Sequence, residues 1–182
     1  MGAELYLGCA TPAETRRMAA TVAGALRAGD VLALTGELGA GKTCFVQGAA
    51  AALGVTERVT SPSFVLRREY QGRLPLLHFD VYRLDTLQEV VELGYEQAQD
   101  GTHVTFIEWG DAVSQLLPPE HLEIEFRLSQ PDGGEALNGG PDTDSADDGA
   151  EHRQVVLRAH GPDWLRRIAG LSADLRPWRE AA

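Results

Sequence analysis

Gly36-Glu37-Leu38-Gly39-Ala40-Gly41-Lys42-Thr43 lies between a continuous apolar run, Val31 to Thr35, and a stretch of helical character from Thr43 to Leu53. The octapeptide fits GxxxxGK[ST] at every position, and its flanks supply the strand-then-helix context that this motif requires. Its glycines let backbone N–H groups curl around phosphate oxygens, and the following helix turns the positive end of its dipole toward the same anion. Lys42 adds a point charge suited to β- and γ-phosphates, and the Thr43 hydroxyl suits Mg²⁺. Multiplied position by position, this chain's own residue frequencies predict on the order of 0.001 chance matches, against usual usage of about 7% Gly. The nucleotide reading therefore stands ahead of a glycine turn that happens to precede a helix. The expected phosphate cradle is Glu37, Leu38, Gly39, Ala40, Gly41, Lys42, Thr43 and Cys44.

Outward from this motif the chain alternates strands and helices. Upstream, Glu4 to Cys9 alternates like a short strand. Thr11, Pro12 and Glu14 then supply an N-cap, a first-turn proline and a capping-box acid for a helix reaching about Arg27, with Met18, Val22 and Leu26 on its buried face. Downstream, the helix after the P-loop stops at Gly54, a natural C′ residue. Phe64 to Tyr70 and Leu76 to Tyr82 read as a hairpin turning near Gly72, and Thr86 to Leu93 as a short helix capped by Thr86 and Glu89. Val104 to Ile107, Leu122 to Leu128 and Gln154 to His160 are further strands, and Trp164 to Leu171 a terminal helix. The sum is an α/β, P-loop NTPase-like fold: a mostly parallel central sheet with an antiparallel hairpin, flanked by helices.

A length of 182 residues suits a single domain spanning 1–182. Seven of the 27 acidic residues fall between Gln130 and His152, where no Lys or Arg occurs; without them the formal charge of −11 becomes −4. That stretch, rich in Gly, Asp, Pro and Ser, is expected to be a solvated, disordered acidic insertion at about 130–152. The remainder carries no basic stripe of the kind that neutralises a phosphate backbone, which argues against direct nucleic-acid binding. Neither a membrane span nor an export signal is legible, and the only cysteines, Cys9 and Cys44, form no CxxC pair, so a reducing, cytoplasmic setting is expected. Fifteen of the sixteen basic residues are Arg and the sixteenth is Lys42. The NKxD signature of guanine recognition needs a second lysine, so ATP is favoured over GTP.

Two acids stand out at strand ends. Asp80 closes Leu76 to Phe79, where a buried carboxylate needs a partner and Mg²⁺ or its water would provide one. Glu108 follows Val104 to Ile107 in the manner of a Walker B acid and would face Thr43 across the metal. Taken singly, either would also suit a strand-end carboxylate capping a loop. His78, Phe79 and Tyr82 read as core residues, and Arg83 as a surface ion pair. Cys44 reads as a small buried residue ahead of a helix-terminus thiol of lowered pKa. The five histidines show no metal-ligand spacing.

GELGAGKT, TSPSF (Thr60 to Phe64), HFDVYRL (His78 to Leu84) and IEWG (Ile107 to Gly110) together, in this order, resemble the TsaE family, formerly YjeE. The family comprises ATPases of bacterial tRNA threonylcarbamoyladenosine (t6A) synthesis, and the resemblance covers about residues 4 to 128. It implies a Mg²⁺-dependent ATPase with ATP and Mg²⁺ as cofactors. Thr43 and Glu108 would hold the metal, with Lys42, Asp80 and Glu108 catalytic. Ser61 would belong to a nucleotide-sensing loop and Trp109 would lie beside the nucleotide. TsaD and TsaB would be partners, with tRNA met through that complex and no membrane involved. The competing reading is a small-molecule P-loop kinase, for whose lid Arg67, Arg68 and Arg83 are available.

Overall fold

The computed structural model describes residues 3–84, 86–128 and 152–180. The expected insertion therefore lies outside the described residues, apart from His152. The described elements are β1 (Glu4–Cys9), α1 (Pro12–Ala23), β2 (Val31–Gly36), α2 (Lys42–Ala52), β3 (Arg67–Tyr70), β4 (Leu76–Asp80), α3 (Leu87–Glu92), β5 (Val104–Glu108), β6 (His121–Leu128), β7 (Arg153–His160) and α4 (Pro162–Asp174). Short 3₁₀ turns, Tyr95–Gln99, Gly110–Val113 and Arg176–Trp178, complete the set.

The strands form one sheet in the order β1-β7-β6-β2-β5-β4-β3. Its centre, β6-β2-β5-β4, is parallel. The β3–β4 hairpin is antiparallel as expected, and so are β6–β7 and β7–β1, so the antiparallel share exceeds the one hairpin. Strands β2, β4 and β5 are buried almost throughout because both their faces are covered, and they are apolar except for Thr105 and the residues near the cleft. One face meets α1, α2 and α4 through Leu32, Leu34, Phe45, Val46 and Phe106; the other packs Leu77, Phe79, Val90, Tyr95 and Ile107. In β6, by contrast, buried residues alternate with half-buried ones, while β7 buries Val155, Val156 and Leu157 in succession. Arg158 joins Glu4, Glu123 and Glu125 across the second face of that wing.

Among the boundaries that differ from the sequence reading, two have a clear local cause. α1 ends at Ala23 rather than near Arg27, because Gly24 caps it and the amides of Gly24, Ala25 and Leu26 switch to i→i−3 bonds. Leu26 is buried all the same. The hairpin's first strand starts at Arg67, since Val65 and Leu66 donate to the Pro62 carbonyl in a turn and Leu66 adopts φ 65°. Phe64, expected in the strand, is 88% exposed. The capping box at Thr86 and Glu89 forms in full, while Glu14 reaches the amide of Ala10 instead of its own cap residue.

Candidate nucleotide site

The P-loop leaves β2, the strand between β6 and β5, and enters α2, so the glycine turn sits over the carboxyl ends of the parallel strands. Such crevices are where open α/β sheets take ligands. Two glycines are required by geometry. Gly36 has φ 129°, and a Cβ there would fall 2.4 Å from the Phe126 carbonyl oxygen of β6. Gly41, at φ 111°, makes the left-handed step into α2 that a side chain would strain.

Lys42 opens α2 and is buried. Its Nζ donates to the carbonyls of Gly36 (2.7 Å) and Glu37 (2.8 Å) and lies 3.9 Å from the centre of the Trp109 ring. Burial lowers its pKa, opposed by the charges of Glu108, Asp80 and Asp111. Trp109 reaches this position through a left-handed backbone, φ 64°, immediately after β5. For a non-glycine residue that costs about 1–2 kcal/mol. Tyr82 lies against the same indole, with ring centres 4.6 Å apart.

The two acids meet by strand register. Asp80 pairs directly with Glu108 across β4 and β5, and each is 3% exposed. Glu108 Oε1 accepts from the Thr43 hydroxyl at 2.7 Å and lies 2.9 Å from His78 Nε2. Asp80 Oδ2 accepts from the hydroxyls of Ser61 (2.8 Å) and Ser63 (2.7 Å), and Oδ1 from the Tyr82 amide (3.1 Å). The partner that burial demands for Asp80 is thus supplied by protein donors, whereas the sequence reading looked to Mg²⁺ or its water.

These groups enclose a cleft of ≈ 320 Å³. Of the expected cradle, Leu38, Gly39, Gly41, Lys42, Thr43 and Cys44 line it, together with Ser61, Asp80, Glu108 and Trp109. Glu37 turns its side chain to solvent and contributes its carbonyl, while Ala40 is fully buried. Cys44 donates to the Pro12 carbonyl, and burial pushes its thiol up, outweighing Arg16 and Arg153. The lowered pKa held as the second reading is not what its surroundings produce. Arg83, expected in an ion pair, places its guanidinium 5.1 Å from the centre of the Phe64 ring.

Three residues at the site escaped the sequence reading: Ser63, and His78 and Tyr82, both read as core. Only the period-two alternation from Asp80 back to His78 hinted that one of them shares the face of the acid. Among the described residues no cluster of three or more His, Cys, Asp or Glu is placed to hold a metal. Mg²⁺ needs no such cage, being held commonly by one or two carboxylates plus substrate phosphates. Thr43 and Glu108, touching at the head of α2, fit that donor set.

Comparison with known proteins agrees with this architecture. The family model for Threonylcarbamoyl adenosine biosynthesis protein TsaE matches residues 9–135. The tRNA threonylcarbamoyladenosine biosynthesis protein TsaE of Treponema pallidum is 44% identical over 115 residues, 63% of this chain and 85% of its own. The protein of the same name from Bacillus subtilis is 42% identical over 122 residues, 66% of this chain and 76% of its own. The crystal structure of Bacillus subtilis YdiB superposes with a TM-score of 0.74 at 31% identity, covering 96% of this chain and 97% of that one. With its family's motif blocks brought together in one cleft on a shared fold, this chain belongs to the TsaE family of t6A biosynthesis proteins.

Proposed function

We propose that this chain binds ATP with Mg²⁺ in the cleft and hydrolyses it, and that this hydrolysis supports turnover of a TsaD–TsaB complex acting on tRNA in the cytoplasm. The observation that carries the reading is the 2.7 Å contact of Thr43 with Glu108 at the N-terminus of α2, beside Asp80. Thr43 donates its proton to Glu108 and keeps its lone pairs for a cation. Lys42, desolvated and steered by P-loop carbonyls, provides the side-chain charge for the terminal phosphates. Bound Mg²⁺ would neutralise charge developing on those phosphates. Asp80 holds Ser61 and Ser63, which ties the position of the 61–63 loop to the carboxylate that would orient water. Trp109 contacts both Lys42 and Tyr82 and lines the cleft.

A small-molecule kinase fits less well. Among the described residues that line the cleft, Lys42 is the only cation, and Arg67 is engaged by the Leu93 carbonyl and Gln97. Phosphate release measured with ATP alone, then with TsaD, TsaB and tRNA added, tests the proposal. Hydrolysis that rises with the partners is expected. Transfer of phosphate to a small acceptor, or no release in either mixture, would overturn it.

A further inference from the structure

We propose that His78 is the positioning residue for the metal-binding carboxylate, its Nε2–H holding Glu108 in the rotamer that offers Oε2 to Mg²⁺. This rests on the reading of Glu108 as a metal ligand. His78 is fully buried in β4, on the face shared with Asp80 and two residues before it, so it lies diagonal to Glu108 across the strand pair. Its Nε2 is 2.9 Å from Glu108 Oε1, the oxygen that also takes the Thr43 hydroxyl. Both contacts fall on Oε1, and neither engages Oε2.

The other ring nitrogen makes the case. His78 Nδ1 is buried and has no hydrogen-bond partner among the described residues. Buried polar atoms are normally paired, so an imidazole present only for packing would leave this nitrogen stranded for nothing. Leu76 fills the same face of β4 with an apolar side chain, so the strand does not need a polar group there. An unpartnered Nδ1 is better tolerated as a bare acceptor than as a donor. That puts the proton on Nε2, the tautomer that donates to a carboxylate. Hydrogen-bond partners of metal-ligating carboxylates typically change metal affinity by about 10–100-fold when removed.

The test is calorimetric titration of the full chain with ADP, in Mg²⁺ and again in EDTA, for wild type, His78→Leu, His78→Gln and His78→Asn. Gln carries its amide nitrogen near the position of Nε2, whereas that of Asn corresponds to Nδ1 and falls short of Glu108. In EDTA all four proteins should bind alike, because Lys42 and the glycine turn are untouched. In Mg²⁺ the gain in affinity should survive in His78→Gln and fall about 10–100-fold in His78→Leu and His78→Asn. A Mg²⁺ gain kept in both Leu and Asn variants overturns the proposal, as does an equal loss in EDTA and in Mg²⁺, the mark of a merely structural role. Should His78→Leu fail to fold, the Gln and Asn pair decides alone. If wild type itself gains nothing from Mg²⁺, the metal reading of Glu108 falls first and takes this proposal with it.

Discussion

Asp80 and Glu108 sit opposite one another on neighbouring strands, yet their hydrogen bonds lead to different parts of the cleft. Glu108 is joined to Thr43 of the P-loop, and Asp80 to Ser61 and Ser63 of a surface turn. Glu108→Ala should therefore weaken Mg²⁺-dependent ATP binding and hydrolysis together. Asp80→Ala should retain ATP while phosphate release falls about 100-fold or more, the pattern of an interaction made chiefly in the transition state. Calorimetry beside single-turnover hydrolysis checks both, and loss of binding in Asp80→Ala with normal turnover per bound ATP would reverse the assignment. Lys42→Ala removes the only cation among the described lining residues and should abolish binding or turnover. Lys42, Thr43 and the glycines were legible because their chemistry is written contiguously. Ser63, His78 and Tyr82 lie inside the TSPSF and HFDVYRL blocks but were not read as site residues, because the β4–β5 register and the turn on Pro62 that bring them to the cleft cannot be seen in the residues themselves.

Strands and helices were legible in proportion to how completely their environment marks them. β2 stands out as an apolar run because both its faces are covered, and α3 because its capping box is local. Strand direction is a matter of topology, so the antiparallel β7–β6 and β1–β7 pairings left no trace beyond alternation. α4 is fastened to the sheet's helical side by Arg167, whose guanidinium meets both oxygens of Asp30 (2.6 and 2.7 Å) and lies 3.7 Å from the Trp164 ring centre. Both partners are nearly buried, so Arg167→Ala leaves the Asp30 carboxylate only the Arg27 amide as a donor and should cost about 3 kcal/mol in denaturant unfolding. A smaller, pH-linked effect belongs to the paired ends of β6 and β7, where His121 and His160 stack with ring centres 4.1 Å apart. Burial holds the His121 pKa below its usual value, with the His160 charge adding to that and the Pro118 carbonyl and Glu123 opposing. A base depressed in the folded state stabilises fully above its unfolded pKa, about 6.5, and loses that contribution as pH falls below it. Melting temperature should decline from about pH 6.5 downward, and His121→Phe should flatten that decline.

For the whole molecule, the sharpest question is whether the acidic stretch between β6 and β7 belongs to the proposed nucleotide site, because the hairpin that carries it ends beside the P-loop. Leu128 pairs with Arg153 as the last rung of β6 and β7, and Arg153 Cδ lies 3.6 Å from where a Cβ on Gly41 would stand. Composition argues that the stretch is dispensable: the segment from Asp132 to Gly149 contains a single large apolar side chain, Leu137, and so can bury little. Deleting Asp132 to Gly149 leaves Ser129, Gln130, Pro131, Ala150, Glu151 and His152 to close the hairpin, while the rung at Leu128 and Arg153 is untouched. Shortening the connection about fourfold lowers its closure entropy by about 1.2 kcal/mol, since each doubling of a flexible loop costs about 0.6 kcal/mol. The shortened protein should therefore melt at the same temperature as the parent or a few degrees higher. Its affinity for Mg²⁺–ATP should also stay within about twofold, a difference worth less than about 0.5 kcal/mol. Thermal unfolding and calorimetry on the two proteins decide it. A fall in melting temperature would make the stretch part of the fold, and unchanged melting with weakened ATP binding would make it part of the site that Gly41 and Lys42 open.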